Sequence, residues 1–220
     1  MQLPDFFDAA PRIRVRDPLA EFLGAAPGGI LEYGYADVVK LAGHSCPTVA
    51  SAYLLARAAF RALYPDSLPV RGGISVELRE DAFEGVTGVI ANVLTLLTGA
   101  TVDSGFKGLA GRFDRRRLLA FGVDLPGQIR FTRLDSGASV VVSAHLQHVP
   151  GDARVSVLMP RCLTGVASAD EEQLFRTIWQ ERVRKLLLEY ADDQQVIDVQ
   201  GVAAAVPATA SRTAITRARG

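Results

Sequence analysis

The segment Gly-His-Ser-Cys-Pro at residues 43–47 holds the residue types in this chain that are best suited to chemistry. An imidazole and a thiol two positions apart are ligands that zinc and iron accept, and such a pair can also act as base and nucleophile. Pro47 fits the first turn of a helix, so Cys46 is expected at a helix N-terminus, where unpaired amide groups favour a thiolate. We therefore predict a metal site at His44 and Cys46, with Cys46 as the catalytic residue if the protein is an enzyme.

This pair alone does not complete a metal site, because a bound zinc ion takes at least three protein ligands. Further ligands are sought among Asp81, Glu84, Asp103, His145, His148 and Cys162. The two histidines fall on a predicted strand, where a spacing of three turns them to opposite faces. A purely structural interpretation also stays open, with Cys46 as a buried thiol and His44 as a capping residue.

Three helices and several strands are expected to position the segment that carries His44 and Cys46. Apolar residues at helical spacing predict a long helix after Pro47 and a second helix over 85–99, and the spacing of Ser168 and Glu171 predicts a capping box that starts a C-terminal amphipathic helix. Asp17 is expected to cap a short helix that begins at Pro18. Another short helix is expected to end at Gly43.

Alternating apolar residues predict a strand at 74–78, an antiparallel hairpin over 128–149 and a third strand at 153–159. The expected fold class is therefore α+β, with an antiparallel or mixed sheet packed against two long helices and followed by the amphipathic helix. Residues 1–198 are expected to form a single domain. Residues 199–220 are poor in large apolar side chains and are expected to form a flexible tail.

Composition excludes some function classes. The chain of 220 residues has 24 basic and 24 acidic side chains, so no overall charge attracts nucleic acid or an anionic membrane. It has only two cysteines and no apolar stretch of membrane-spanning length. We expect a cytoplasmic protein that binds neither nucleic acid nor membranes. The basic cluster RFDRRR at 112–117 could bind phosphate or RNA, but a short charge run is more typical of a solvated face or of a surface that pairs helices.

The order of several motifs resembles the E-subunit-like family of formylmethanofuran dehydrogenase. GHSCP before a long helix, VELRE, IANVLTLLTGAT, a loop with glycines and a lysine, and FTRLDSGASVVVS follow one another over about residues 30–145. The resemblance implies an α+β domain, commonly dimeric, with a metal, usually zinc, near His44 and Cys46. The chain departs from the family at Val89, Asn92 and Ala100, and it lacks the C-terminal zinc module of some members.

The resulting expectation is a transition-metal protein with a small-ligand pocket and a metal-dependent or redox accessory role. Asn92 and Lys107 are predicted to contact the ligand, Lys107 from a glycine-rich loop that closes the pocket. Three alternatives stay open: a haem or other tetrapyrrole protein with Cys46 as the axial thiolate, an enzyme with Cys46 as a metal-free nucleophile, and a noncatalytic adaptor protein. A symmetric homodimer is expected because the helices offer more apolar surface than one small sheet covers.

Overall fold

The structure is a computed structural model and describes residues 3–203. Its α-helices are α1 (Phe6–Ala9), α2 (Pro18–Phe22), α3 (Tyr35–Ala42), α4 (Pro47–Leu63), α5 (Thr87–Thr98), α6 (Val155–Leu163) and α7 (Ala169–Leu188). Its strands are β1 (Ile13–Arg16), β2 (Ile30–Tyr33), β3 (Ile74–Leu78), β4 (Leu119–Ala120), β5 (Ile129–Arg133), β6 (Ser139–Ala144) and β7 (Ile197–Ala203). Mixed helix and sheet confirm the α+β fold class.

The main sheet has five strands in the order β4-β3-β5-β6-β7. Only the β3–β4 pair is parallel, so the sheet is mixed. Ile74, Val76 and Leu78 of β3 are buried and alternate with half-buried polar residues, as the period of two predicted. Strands β1 and β2 form a separate antiparallel pair that the sequence analysis did not predict.

Helix α4 lies at the centre of the molecule. It contacts β6 and β7 of the main sheet as well as helices α3, α5 and α7. Its side chains are therefore buried around most of its circumference, and Ala50, Ala52, Ala56 and Ala59 are among them. These small side chains let neighbouring elements pack close to the α4 backbone. A helix that is apolar over most of its surface is typical of such an interior position.

Two predictions about the C-terminal third need correction. Residues 153–159 were expected to form a strand, but 155–163 form α6, which packs on α7 and buries Leu158. The strand was predicted because apolar residues alternate at 155, 157 and 159, which would place them on one buried face. In the structure Val157 is exposed, so this face is not buried. The predicted tail from residue 199 is also wrong at its start, since 199–203 belong to β7, which pairs with β6. Its remainder, 204–220, lies outside the described residues.

A buried carboxylate, that of Asp17, joins three separate parts of the chain. Oδ1 accepts hydrogen bonds from the Leu19 and Ala20 amides at 2.9 and 3.2 Å, which caps α2 as predicted. Oδ1 also accepts one from Arg115 Nη2 at 2.7 Å, and Oδ2 accepts one from Arg71 Nη1 at 2.8 Å. Arg71 in turn donates through Nε to the carbonyl oxygen of Leu96 in α5. The N-terminal segment, the turn before β3 and the 99–118 loop therefore meet at one ion cluster.

Two glycines make room for this cluster. Gly72 and Gly99 have positive φ angles of 81° and 73°, which favour glycine. A Cβ atom at either position would overlap Arg115 Nη1. The backbone at these two glycines thus approaches the Arg115 guanidinium closely. This contact shows that one member of the basic cluster at 112–117 has a structural role.

Within residues 3–203, no helix combines the length and the apolar character needed to cross a membrane. Most of the buried apolar side chains of the described residues form one continuous core that includes both Phe7 near the start and Ile197 near the end.

We predict that Asp17→Asn lowers the free energy of unfolding at pH 7 by about 3 to 5 kcal/mol, because it leaves the buried charge of Arg115 and the half-buried charge of Arg71 without their carboxylate. Urea denaturation measures the change. Glu21→Gln is the matched control, since it removes the exposed pair of Glu21 with Arg16 and should cost less than about 1 kcal/mol. Equal effects of the two substitutions would contradict the importance of the buried cluster.

The stabilisation from the Asp17 carboxylate should also depend on pH. Burial opposes ionisation of Asp17, but the hydrogen bond from Arg71, the charge of Arg115 and the Ala20 amide outweigh it and lower the pKa of Asp17. The stabilisation is complete above the pKa of an unfolded aspartate, about 3.9, and is lost as pH falls through the lower folded-state pKa. The difference in unfolding free energy between wild type and Asp17→Asn should thus be constant from pH 7 to about 5 and shrink below about 4. A difference that grows with acid would overturn this assignment.

Candidate functional site

The His44–Cys46 turn connects α3 to α4. Gly43 ends α3 in the left-handed conformation, with φ 75°, and its amide donates to the carbonyl oxygen of Val39 at 2.9 Å. This C-cap redirects the chain, so that the next three residues cross from one helix end to the start of another. Both helix ends were predicted from Gly43 and Pro47, and both predictions are confirmed.

Cys46 is the N-cap residue of α4. Its backbone is extended, with φ −150° and ψ 167°, and its Sγ accepts a hydrogen bond from the Val49 amide at 3.4 Å. The sulfur therefore occupies the place that a serine or aspartate oxygen usually takes at a helix start. The side chain is half-buried and forms no disulfide. At this position the sulfur faces the positive end of a 17-residue helix, where negative charge is favoured.

His44 is exposed at the outer side of the same turn. Its Nδ1 lies 3.0 Å from the carbonyl oxygen of Ala42 and donates a hydrogen bond to it when that nitrogen is protonated. This tautomer leaves Nε2 with a lone pair, which can bind a metal ion or a proton. The turn thus presents one imidazole nitrogen and one sulfur, each positioned by a contact to the backbone.

Ser45, the residue between the two predicted ligands, is held by α7. Its carbonyl oxygen accepts hydrogen bonds from Trp179 Nε1 at 3.0 Å and from Gln180 Nε2 at 3.1 Å. Its hydroxyl donates to Gln180 Oε1 at 3.0 Å and lies 3.1 Å from the Tyr35 hydroxyl. Burial raises the pKa of Tyr35, so this phenol stays neutral at physiological pH. The contacts to α7, made across more than 130 positions of sequence, give the turn a defined conformation.

Sequence reasoning missed Ser45, Trp179 and Gln180 as parts of this site. A polar residue on an amphipathic helix is ordinarily a solvent-facing residue, so nothing local distinguishes Gln180 from the other polar residues of α7. The only available signal was Trp179, the single tryptophan of the chain, because an indole N–H usually finds a partner when it is buried.

An apolar cavity of about 340 Å³ lies beside Ser45. Phe7 and Val39 form one wall, and Phe175 and Trp179 form another, with their rings 5.7 Å apart. Pockets of a few hundred Å³ with mostly apolar walls are typical of small-molecule sites. The cavity shares Ser45 with the turn, so a ligand there would lie next to the residue that separates His44 from Cys46.

Asn92 and Lys107 lie away from this cavity. Asn92 is exposed on α5 and Lys107 is exposed in the 99–118 loop, and neither lines the cavity beside Ser45. The hydrogen bonds found in residues 3–203 also include none from either side chain to the 44–46 turn. The structure therefore brings His44 and Cys46 together in one turn but does not add the two predicted ligand-binding residues to them.

The other proposed metal ligands do not gather around the turn. In the part of the chain that is described, no group of three or more His, Cys, Asp and Glu side chains is arranged to hold a metal ion. Asp103 forms an ion pair with Arg117 instead. His145 and His148 were expected on opposite faces of a strand, but β6 ends at 144 and a 3₁₀ turn brings their rings to a centroid distance of 6.4 Å.

Comparison with models of known protein families and with characterised proteins found no match for this chain. The resemblance to the formylmethanofuran dehydrogenase family therefore stays a prediction.

We predict that Gln180→Ala lowers the free energy of unfolding by about 1 to 3 kcal/mol, because Ser45 loses two hydrogen bonds at a half-buried position. Fluorescence of the sole tryptophan, Trp179, follows urea denaturation and should also show emission at longer wavelength in the native variant, since its surroundings become wetter. Gln173→Ala, an exposed glutamine on the same helix, is the control and should change stability by less than about 0.5 kcal/mol. Identical emission and stability in all three proteins would argue against α7 holding the turn.

Proposed function

We propose that this protein binds a transition-metal ion, with zinc as the first choice, through Cys46 and His44, and that the cavity beside Ser45 receives a small organic ligand. The observation that carries the proposal is the position of Cys46 Sγ as the N-cap acceptor of α4, in the same turn as the Nε2 of His44. Thiolate sulfur and imidazole nitrogen are the donors that zinc prefers in proteins.

The contacts of Ser45 support this proposal. A metal site gains affinity when its ligands are held before the metal arrives, and backbone or side-chain contacts next to the ligands do this. Trp179 and Gln180 hold the carbonyl group between the two donors. The turn would therefore not have to be ordered by the metal.

Two protein donors leave coordination positions for other groups. A zinc ion takes four ligands in most protein sites, and an ion with open positions can polarise a carbonyl group or activate water. Because a zinc site takes at least three protein ligands, we assign the remaining positions to a second copy of the chain in a symmetric homodimer, together with solvent or a ligand in the cavity. This arrangement gives the protein a metal-dependent accessory or catalytic role. A cytoplasmic setting suits it, because the reducing conditions there keep Cys46 and Cys162 as free thiols.

Cobalt substitution tests the proposal. The full chain, purified without metal, is titrated with Co²⁺, and a thiolate-to-cobalt charge-transfer band should appear and saturate. Cys46→Ser should abolish the band, and His44→Ala should weaken binding by about tenfold or more, as expected for loss of a ligand. The stoichiometry, one or one half metal per chain, distinguishes a site within one copy from a site shared between two.

The matched controls are Cys162→Ser, which removes the other free thiol, and His148→Ala, which removes an exposed imidazole. Both should bind cobalt as the wild type does. A band that persists in Cys46→Ser, or that disappears in Cys162→Ser, would refute the assignment. Because Trp179 donates to Ser45, bound cobalt should also quench its fluorescence, and this quenching should be missing in Cys46→Ser.

A further inference from the structure

A second, polar cleft lies beside the later half of α4. It has a volume of about 270 Å³ and is formed by β1, by the end of α4 with Tyr64, which follows it, and by the connecting segment 67–69. Cys46 precedes Arg61 by fifteen positions, so the two sites are separated by about 22 Å along the helix axis. This cleft is therefore distinct from the proposed metal site.

Four arginines line the cleft. Arg14 lies in β1, and Arg12 directly precedes this strand. Arg57 and Arg61 are four positions apart on one face of α4. The residues that line the cleft include no carboxylate. Each guanidinium carries five N–H donors in a planar fork, which suits bidentate binding of phosphate or carboxylate oxygens.

The ion pairs of these arginines leave positive charge in excess. Arg57 and Arg61 share the single carboxylate of Asp192, and Arg57 Nη1 lies 2.8 Å from Asp192 Oδ1. Arg12 and Arg14 share Glu32, at 3.3 and 4.0 Å. Asp8 also lies 4.0 Å from Arg12, so three carboxylates face four guanidinium groups. Asp66, which is exposed, follows the cleft residue Tyr64 by two positions.

The base of the cleft is apolar and firmly held. Ile13, Phe60 and Tyr64 are each at most 5% exposed. The hydroxyl of Tyr53 on α4 donates to the carbonyl oxygens of Pro11 and Tyr33, at 2.5 and 3.0 Å, and so joins α4 to β1 and β2. The two elements that carry the arginines are thus fixed relative to each other. The backbone positions of the four arginines are thereby preorganised, which reduces part of the entropic cost of binding an anion.

We propose that this cleft binds a phosphate-bearing small molecule, with the phosphate group held between the β1 arginines and the α4 arginines. Four arginines in one lining that includes no carboxylate favour a multiply charged anion, and paired N–H donors match phosphate oxygens. The volume is at the lower end of the usual range for ligand pockets, so the phosphate accounts for most of the contact.

Isothermal titration calorimetry of the full chain with inorganic pyrophosphate at low ionic strength tests this proposal. The wild type should bind pyrophosphate, and binding should weaken as salt is raised. The double variant Arg14→Gln, Arg61→Gln should bind at least about tenfold more weakly, because each lost charge-assisted contact contributes about a factor of ten. Both residues are more than half exposed, so the variant should keep its fold, as circular dichroism would verify.

The control variant is Arg154→Gln, which removes an equally exposed arginine paired with Asp152 outside the cleft. It should bind pyrophosphate as the wild type does. Malonate, a dicarboxylate of comparable charge, should bind the wild type more weakly than pyrophosphate. The proposal is overturned if pyrophosphate gives no binding heat with the wild type, if the double variant matches the wild type, if Arg154→Gln is weakened equally, or if malonate binds as tightly.

Discussion

The burial of α4 around most of its circumference is the constraint on which the rest of the structure depends. The sheet, α3, α5 and α7 pack around this one helix, and alanines at 50, 52, 56 and 59 let them approach. Because α4 cannot shift without disturbing every neighbour, the groups at its ends are fixed in space. Its start presents Cys46, and its later half presents Arg57 and Arg61. One rigid helix therefore positions both the proposed metal site and the proposed anion site.

The Asp17 cluster fixes the periphery in a different way. Around α4 the elements are held by apolar packing, whereas the N-terminal segment, the turn before β3 and the 99–118 loop meet through a carboxylate with two guanidinium partners. A buried ion cluster is costly to form and more costly to leave incomplete. It therefore favours one arrangement of these three segments, and glycines at 72 and 99 supply the space it needs.

The proposed metal site and the proposed anion site depend on the same physical principle, within one turn in the first case and between two elements in the second. At the turn, backbone contacts and the side chains of Trp179 and Gln180 hold two donors that are neighbours in sequence. In the cleft, Tyr53 joins two elements whose arginines lie more than forty positions apart. In both places the backbone that carries the proposed ligand-binding groups is held by contacts made without the ligand, and such preorganisation reduces the entropic cost of binding.

The sequence by itself determined the local elements and the candidate turn. Pro47 and Gly43 marked the two helix ends, the spacing of Ser168 and Glu171 marked the start of α7, and alternating residues marked β3, because each signal acts within a few residues. Tertiary structure alone decided that α7 would hold Ser45, that Arg115 would be buried against Asp17, and that Asn92 and Lys107 would lie away from the turn. It also made a helix of residues 155–163, where packing of Leu158 on α7 outweighed an alternating pattern. Contacts between distant segments produce no periodic pattern in the sequence. A polar or basic residue at a position that looks solvent-exposed can still be buried by a segment far away in the chain.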